Sequence, residues 1–124
     1  MAGRILYLDD EQPLVFLMTR MLTHLGHQVS GFTSGKEAVD AFRAAPGEFA
    51  LILTDMSMPQ MSGLDFAQEI LKIDPQANVV IATGCVDPNW AAHARTQGVR
   101  DVIEKPGSVV EMGQIVSRLL AAGT

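Results

Sequence analysis

A single cysteine, Cys85, leaves the chain without any internal disulfide, which agrees with a reducing compartment. Basic residues are few: nine lysines and arginines stand against fourteen aspartates and glutamates, for a net charge of −5. No basic stripe is available to neutralise phosphates, so nucleic acid is not an expected partner. No apolar run approaches the roughly 20 residues that a membrane span needs, so a soluble protein without a membrane partner is expected. The opening Met1-Ala2-Gly3-Arg4 lacks the basic flank, apolar segment and cleavage site of a signal peptide, and the expected location is the cytoplasm. Linkers, repeats and low-complexity segments are missing as well. At 124 residues the chain has the commonest size for one domain, so a single domain over residues 1–124 is expected.

What the chain does have is short apolar runs that stop abruptly at polar residues. Arg4 to Leu8 (RILYL) reads as a buried strand ending in Asp9-Asp10-Glu11. Pro13 suits a first helical turn, and Leu14, Leu17, Met18, Met21, Leu22 and Leu25 recur at helical spacing until Gly26. Gln28 to Phe32 reads as a second strand, and Ser34-Gly35-Lys36-Glu37 is a capping box opening a second helix. Leu51 to Thr54 forms a third strand running into Asp55, and Ser62 to Asp65 caps a third helix. Asn78 to Ala82 forms a fourth strand ending at Thr83-Gly84, after which Asp87-Pro88 starts an Ala-rich helix through Gln97. Arg100 to Glu104 is a fifth strand leading to Lys105-Pro106, and Ser108 to Glu111 caps the last helix. Five strands alternating with five helices predict an α/β fold, a doubly wound parallel sheet with helices on both faces. The strand order 2-1-3-4-5, flavodoxin-like, would set strands 1 and 3 side by side at the switch point where ligands bind.

In that order Asp9, Asp10 and Asp55 converge at the carboxyl ends of neighbouring strands. Asp55 alone reads equally as the start of a turn. Three acids together repel one another, so something positive belongs among them. Hard carboxylate oxygens completed by waters and a carbonyl describe a magnesium site better than a zinc one. Lys105 could supply a second positive group, and Thr83 brings a hydroxyl donor to the same mouth.

With these residues the chain resembles the receiver domains of two-component response regulators over essentially its whole length. The resemblance is carried by Asp9-Asp10 after strand 1, by Thr54-Asp55-Met56-Ser57-Met58-Pro59, by Thr83-Gly84 and by Lys105-Pro106, in that order. It implies that Asp55 accepts a phosphoryl group from a histidine kinase or histidine phosphotransfer domain, shifting the domain between inactive and active states. Asp9, Asp10, Asp55 and the backbone carbonyl of Ser57 would surround Mg2+, Thr83 and Lys105 would contact the phosphoryl oxygens, and the Lys105–Pro106 bond would be cis. It also implies a signalling domain with slow self-catalysed dephosphorylation rather than a metabolic enzyme. Two departures stand out: Val102 occupies a position where many receivers carry a switching Tyr or Phe, and small residues, Ser57 and Cys85, follow Asp55 and Thr83 at the places that tune dephosphorylation.

Phe16 falls opposite the Leu14, Met18, Met21 and Leu25 face of the first helix, beside the acidic mouth, and reads as a docking contact for the kinase partner. Trp90 reads as a packing residue, His24, His27 and His93 as solvated, and Cys85 as inert. An aspartyl-phosphate phosphatase would need a second Asp where Ser57 stands. A flavin carrier would need a phosphate cradle where Asp9-Asp10-Glu11 would repel phosphate. A degenerate receiver used only for binding would not keep the full acceptor set. No effector domain follows Thr124, which reads as either a single-domain regulator or an excised receiver. The run RILYLDDE with ATG and EKP resembles receivers at the C-terminus of hybrid sensor histidine kinases, so fusion to a sensor kinase is the favoured expectation.

Overall fold

A computed structural model describes residues 3–122. The expected alternation is realised: β1 (Arg4–Leu8), α1 (Gln12–His24), β2 (Val29–Phe32), α2 (Gly35–Ala44), β3 (Phe49–Asp55), α3 (Gly63–Ile73), β4 (Val79–Thr83), α4 (Pro88–Thr96), β5 (Asp101–Glu104) and α5 (Val109–Ala122). All strand pairings are parallel, in the order β2-β1-β3-β4-β5. The flavodoxin-like expectation therefore holds.

Because side chains alternate across a strand, the sheet feeds two separate cores. Leu6, Leu8, Ile52, Val79, Ile81 and Val102 face α2, α3 and α4, where they meet Phe42, Phe66, Ile70 and Ala94. Ile5, Tyr7, Leu51, Leu53, Val80 and Ala82 face α1 and α5 and meet Val15, Met18, Leu22, Met112 and Val116. Each fully buried aliphatic or phenylalanine side chain contributes about 1.5–3 kcal/mol, so these two layers dominate the stability of the fold.

The expected caps form. The Ser34 and Ser62 hydroxyls accept from the Glu37 and Asp65 N–H groups, the Asp87 carboxylate accepts from Asn89 N–H, and the Ser108 hydroxyl accepts from Glu111 N–H. Gly26, at φ 95°, takes the left-handed conformation that ends α1. Gly63 is required by close approach, since a Cβ there would collide with the carbonyl oxygen of Asp55.

The inward face of α1 differs from expectation. Val15, Met18 and Leu22 are buried, whereas Leu17 and Leu25 are 51% and 47% exposed. The cause lies on β2. Gly31 has no side chain, and a Cβ there would lie 2.7 Å from both Val15 Cγ1 and Thr19 Oγ1, so α1 settles with those residues against the strand. Phe16 is 58% exposed, as expected, with the Arg20 guanidinium 5.5 Å from its ring centroid. Trp90 packs half-buried against the α2–α4 core and Val102 lies buried within it. His24 and His93 are exposed, but His27 is half-buried and pairs with the Ser117 hydroxyl at 3.2 Å. Cys85 is exposed. No helix among the described residues is long and apolar enough to cross a membrane.

Candidate functional site

Parallel pairing brings all five strands to the same edge with their carboxyl ends. Leu8 of β1 is level with Thr54 of β3, so Asp9 and Asp55, each one residue further on, stand beside each other. Both follow a strand residue of the α1/α5 face, Tyr7 and Leu53, by two positions, which aims them to the same side of the sheet. Asp10, which is exposed, joins them, and one carboxylate oxygen from each of Asp9, Asp10 and Asp55 lies within 4.8 Å of the other two.

Lys105 supplies the positive group that the cluster demands. It is delivered by β5, whose continuation is tied to β4 by the bond from Lys105 N–H to the Thr83 carbonyl at 2.7 Å. Its Nζ lies 3.0 Å from Asp9 Oδ2 and 3.1 Å from Asp55 Oδ1. The Lys105–Pro106 bond expected to be cis is not, since no described peptide bond is cis. The two isomers of such a bond differ by only about 0.5–1 kcal/mol, and in the trans form the amine already reaches both carboxylates.

Asp9 is fully buried and has three donors: Glu11 N–H to Oδ1 at 3.0 Å, and the Tyr7 hydroxyl at 3.3 Å and Lys105 at 3.0 Å, both to Oδ2. Asp55 is half-buried at the end of β3, and the Thr54 hydroxyl beneath it donates to the Asp55 carbonyl at 3.0 Å. Thr83 stands at the end of β4 as expected, but its hydroxyl turns to the carbonyl of Cys85 at 3.3 Å rather than to the acids. Ser57 is exposed in the loop after Asp55. The pocket thus brings together Asp9, Asp10, Asp55 and Lys105 and leaves the Thr83 hydroxyl facing its own loop. Tyr7 is the member that strand reading missed. Its position two residues before Asp9 was the available signal, but inside an unbroken apolar run it reads as ordinary core.

Burial holds the Asp55 carboxyl above its ordinary value of 3.8; the hydrogen bond and charge of Lys105 pull it down and the charge of Asp9 pushes it up. At Lys105 burial pushes down, but the bonds to Asp9 and Asp55 outweigh it and the amine titrates above its ordinary 10.5. The imbalance has a simple origin: one ammonium gains from two carboxylates, while each carboxylate has only a share of one ammonium. Burial, with the Asp9 charge next, pushes the Tyr7 phenol far up, so the hydroxyl remains a donor.

A stability prediction follows with its sign. Below the ordinary carboxylate range both folded and unfolded chains hold the Asp55 proton. As pH rises the unfolded chain ionises first, so the cost of Asp55 to folding stability grows until the folded group has ionised too and stays constant above that pH. Metal-free Asp55→Asn is therefore expected to melt above the wild type at pH 7, with the gap closing as pH falls through the raised Asp55 pKa toward 3.8. Melting followed by circular dichroism from pH 3.5 to 7 reads this, and a gap independent of pH would contradict it.

The donor set fits a hard divalent cation. It is all oxygen, it is crowded with negative charge that one lysine only partly offsets, and its Asp10 side is open for water. Comparison with known proteins identifies the family. A family profile described as the response regulator receiver domain matches residues 5–117. Chemotaxis protein CheY of Thermotoga maritima is 31% identical over 107 residues, covering 86% of this chain and 88% of that protein. The DNA-binding transcriptional regulator NtrC of Azospirillum brasilense is 31% identical over 99% of this chain, which spans only 25% of that regulator. Among solved structures, a response regulator receiver domain protein from Clostridium thermocellum superposes with a TM-score of 0.84 at 28% identity, covering 97% of this chain and 95% of that one. The chain therefore belongs to the response regulator receiver domains, the phosphoryl-accepting modules of two-component signal transduction.

Proposed function

We propose that Asp55 is the phosphoryl acceptor, served by Lys105 and Thr83, in a pocket where Asp9, Asp10, Asp55 and the Ser57 carbonyl hold Mg2+. The observation that carries this reading is the single amine of Lys105 bridging Asp9 and Asp55 inside a three-carboxylate cluster. An Asp55 oxygen attacks phosphorus, the bond from phosphorus to the donor atom breaks with its electron pair leaving on the donor, and an acyl phosphate remains on Asp55. The attack brings anions together, so the barrier is largely electrostatic. Lys105 lowers it by following the charge from Asp55 to the incoming phosphoryl oxygens. Asp9, with no exposure to water, is held in place by its three donors. The Thr83 hydroxyl, in a long bond to its own loop, is available to turn toward a phosphoryl oxygen, drawing the β4–α4 loop with it. Bound in this pocket, Mg2+ supplies positive charge against the phosphoryl oxygens.

The direct test is intact mass after incubation with a small phosphodonor, with Mg2+ and with Mg2+ chelated. Gain of one phosphoryl group only with Mg2+ is expected; equal gain without it would refute the metal assignment, and no gain at all would refute the function. Slow self-catalysed loss of the group, read by the same measurement over time, belongs to the proposal.

The partner side of the proposal concerns α1. Receiver domains work with histidine kinases or phosphotransfer proteins, and we assign the docking contact to exposed Phe16, whose ring is steadied by Arg20. Loss of one anchoring aromatic from an interface typically costs more than 1 kcal/mol. Phe16→Ala should therefore slow transfer from the cognate kinase by about tenfold while small-donor labelling is unchanged. Equal rates in both assays would move the docking surface elsewhere. The resemblance of RILYLDDE, ATG and EKP to hybrid-kinase receivers supports a donor within the same full-length polypeptide.

A further inference from the structure

Tyr7 takes no part in the chemistry above, yet it is the chain's sole tyrosine and the least expected residue at the site. Its side chain is only 2% exposed, packed in the α1/α5 core with Val15, Met18 and Met112. A core position of this kind needs no hydroxyl, and a buried hydroxyl needs a partner. The partner is Asp9 Oδ2, at 3.3 Å, the same oxygen that Lys105 meets at 3.0 Å. Of the three donors to Asp9, two are fixed: the Glu11 N–H belongs to the backbone, and the Tyr7 hydroxyl stands on a strand flanked by β2 and β3. Only Lys105, on a long side chain 27% exposed, is free to leave.

We infer that Tyr7 is a positioning residue for the Mg2+ site, holding Asp9 in its ligating orientation when Lys105 moves to the phosphoryl group. The inference rests on the reading of Asp9 as a Mg2+ ligand. Without the hydroxyl, Oδ2 of a fully buried carboxylate loses its last donor as the lysine departs, and the carboxylate is held through Oδ1 alone. Groups that orient a metal-ligating side chain typically change affinity 10–100-fold, and the 3.3 Å separation places Tyr7 at the low end. Phe at this position removes only the hydroxyl oxygen, so the ring keeps its packing against Val15, Met18 and Met112.

The test is Tyr7→Phe. Its Mg2+ dissociation constant by titration calorimetry is expected to rise about tenfold, with the Mg2+ concentration for half-maximal small-donor labelling rising in parallel. The labelling rate at saturating Mg2+ should stay within about twofold of wild type, which separates positioning from general damage, since a structural role would lower both. Unchanged Mg2+ affinity overturns the inference, as does a loss of saturating rate or of the metal-free fold in step with affinity. A wild type that binds no Mg2+ would sink the underlying site reading, and the inference with it. A wild type that binds, with a variant that binds equally, would sink the inference alone.

Discussion

Asp55→Asn is expected to gain no phosphoryl group under conditions in which the wild type gains one. The amide keeps the size and shape of the carboxylate, so the end of β3 and the contacts of Thr54 are undisturbed, but it lacks the anionic oxygen that attacks phosphorus. The neighbouring acids are poor substitutes for different reasons. Asp9 is sealed from solvent with both oxygens taken by donors, and Asp10 is exposed, while the lysine pairs with Asp9 and Asp55. Intact mass and peptide mapping read the result together. Undiminished labelling of the variant, or label mapped to Asp10 in the wild type, would remove Asp55 from its role.

Lys105→Met is the second large effect. Labelling at saturating donor and Mg2+ should slow by roughly 10²–10³-fold, the loss usual when one preorganised donor to developing negative charge is removed. The same change leaves Asp9 and Asp55 facing each other unshielded in the metal-free chain. A hydrogen bond to a charged group is worth about 1.5–3 kcal/mol, so stability by denaturant titration should fall by about 2 kcal/mol without Mg2+. With Mg2+ present much of that loss should return, because the cation supplies charge to the same carboxylates. A rate within about threefold of wild type would mean that the lysine only holds the resting pocket together.

The candidate site is legible in the sequence because its members follow short apolar runs: Asp9 after RILYL, Asp55 after LILT, Thr83 after NVVIA, and Lys105 after the Val102-Ile103 pair and Glu104. A polar residue at the carboxyl end of a strand in a parallel sheet is forced to one edge, so β1, β3, β4 and β5 deliver these four residues to the same edge. Side chains within the runs carry no such mark. Tyr7 is hidden because both faces of β1 are buried, so no alternation separates a residue beneath the site from one in the opposite core. The inward face of α1 was hidden because Leu14, Val15, Leu17, Met18, Met21, Leu22 and Leu25 leave little of its circumference polar, and the choice was made by a missing side chain on another element, Gly31. The direction of the Thr83 hydroxyl depends on the path of the loop that follows it, and the isomer at Pro106 on a preference of about 1 kcal/mol; neither is a matter of pattern.

The approach of Gly63 to the Asp55 carbonyl bears on how freely this chain can vary. Any side chain at 63 would strike backbone rather than a yielding neighbour, whereas Gly84 and Gly107, in the loops after β4 and β5, face open space. The rim of one pocket is thus divided: the side that carries Asp55 is closed to a side chain at position 63, and the loops after Thr83 and Lys105 leave space for one at positions 84 and 107.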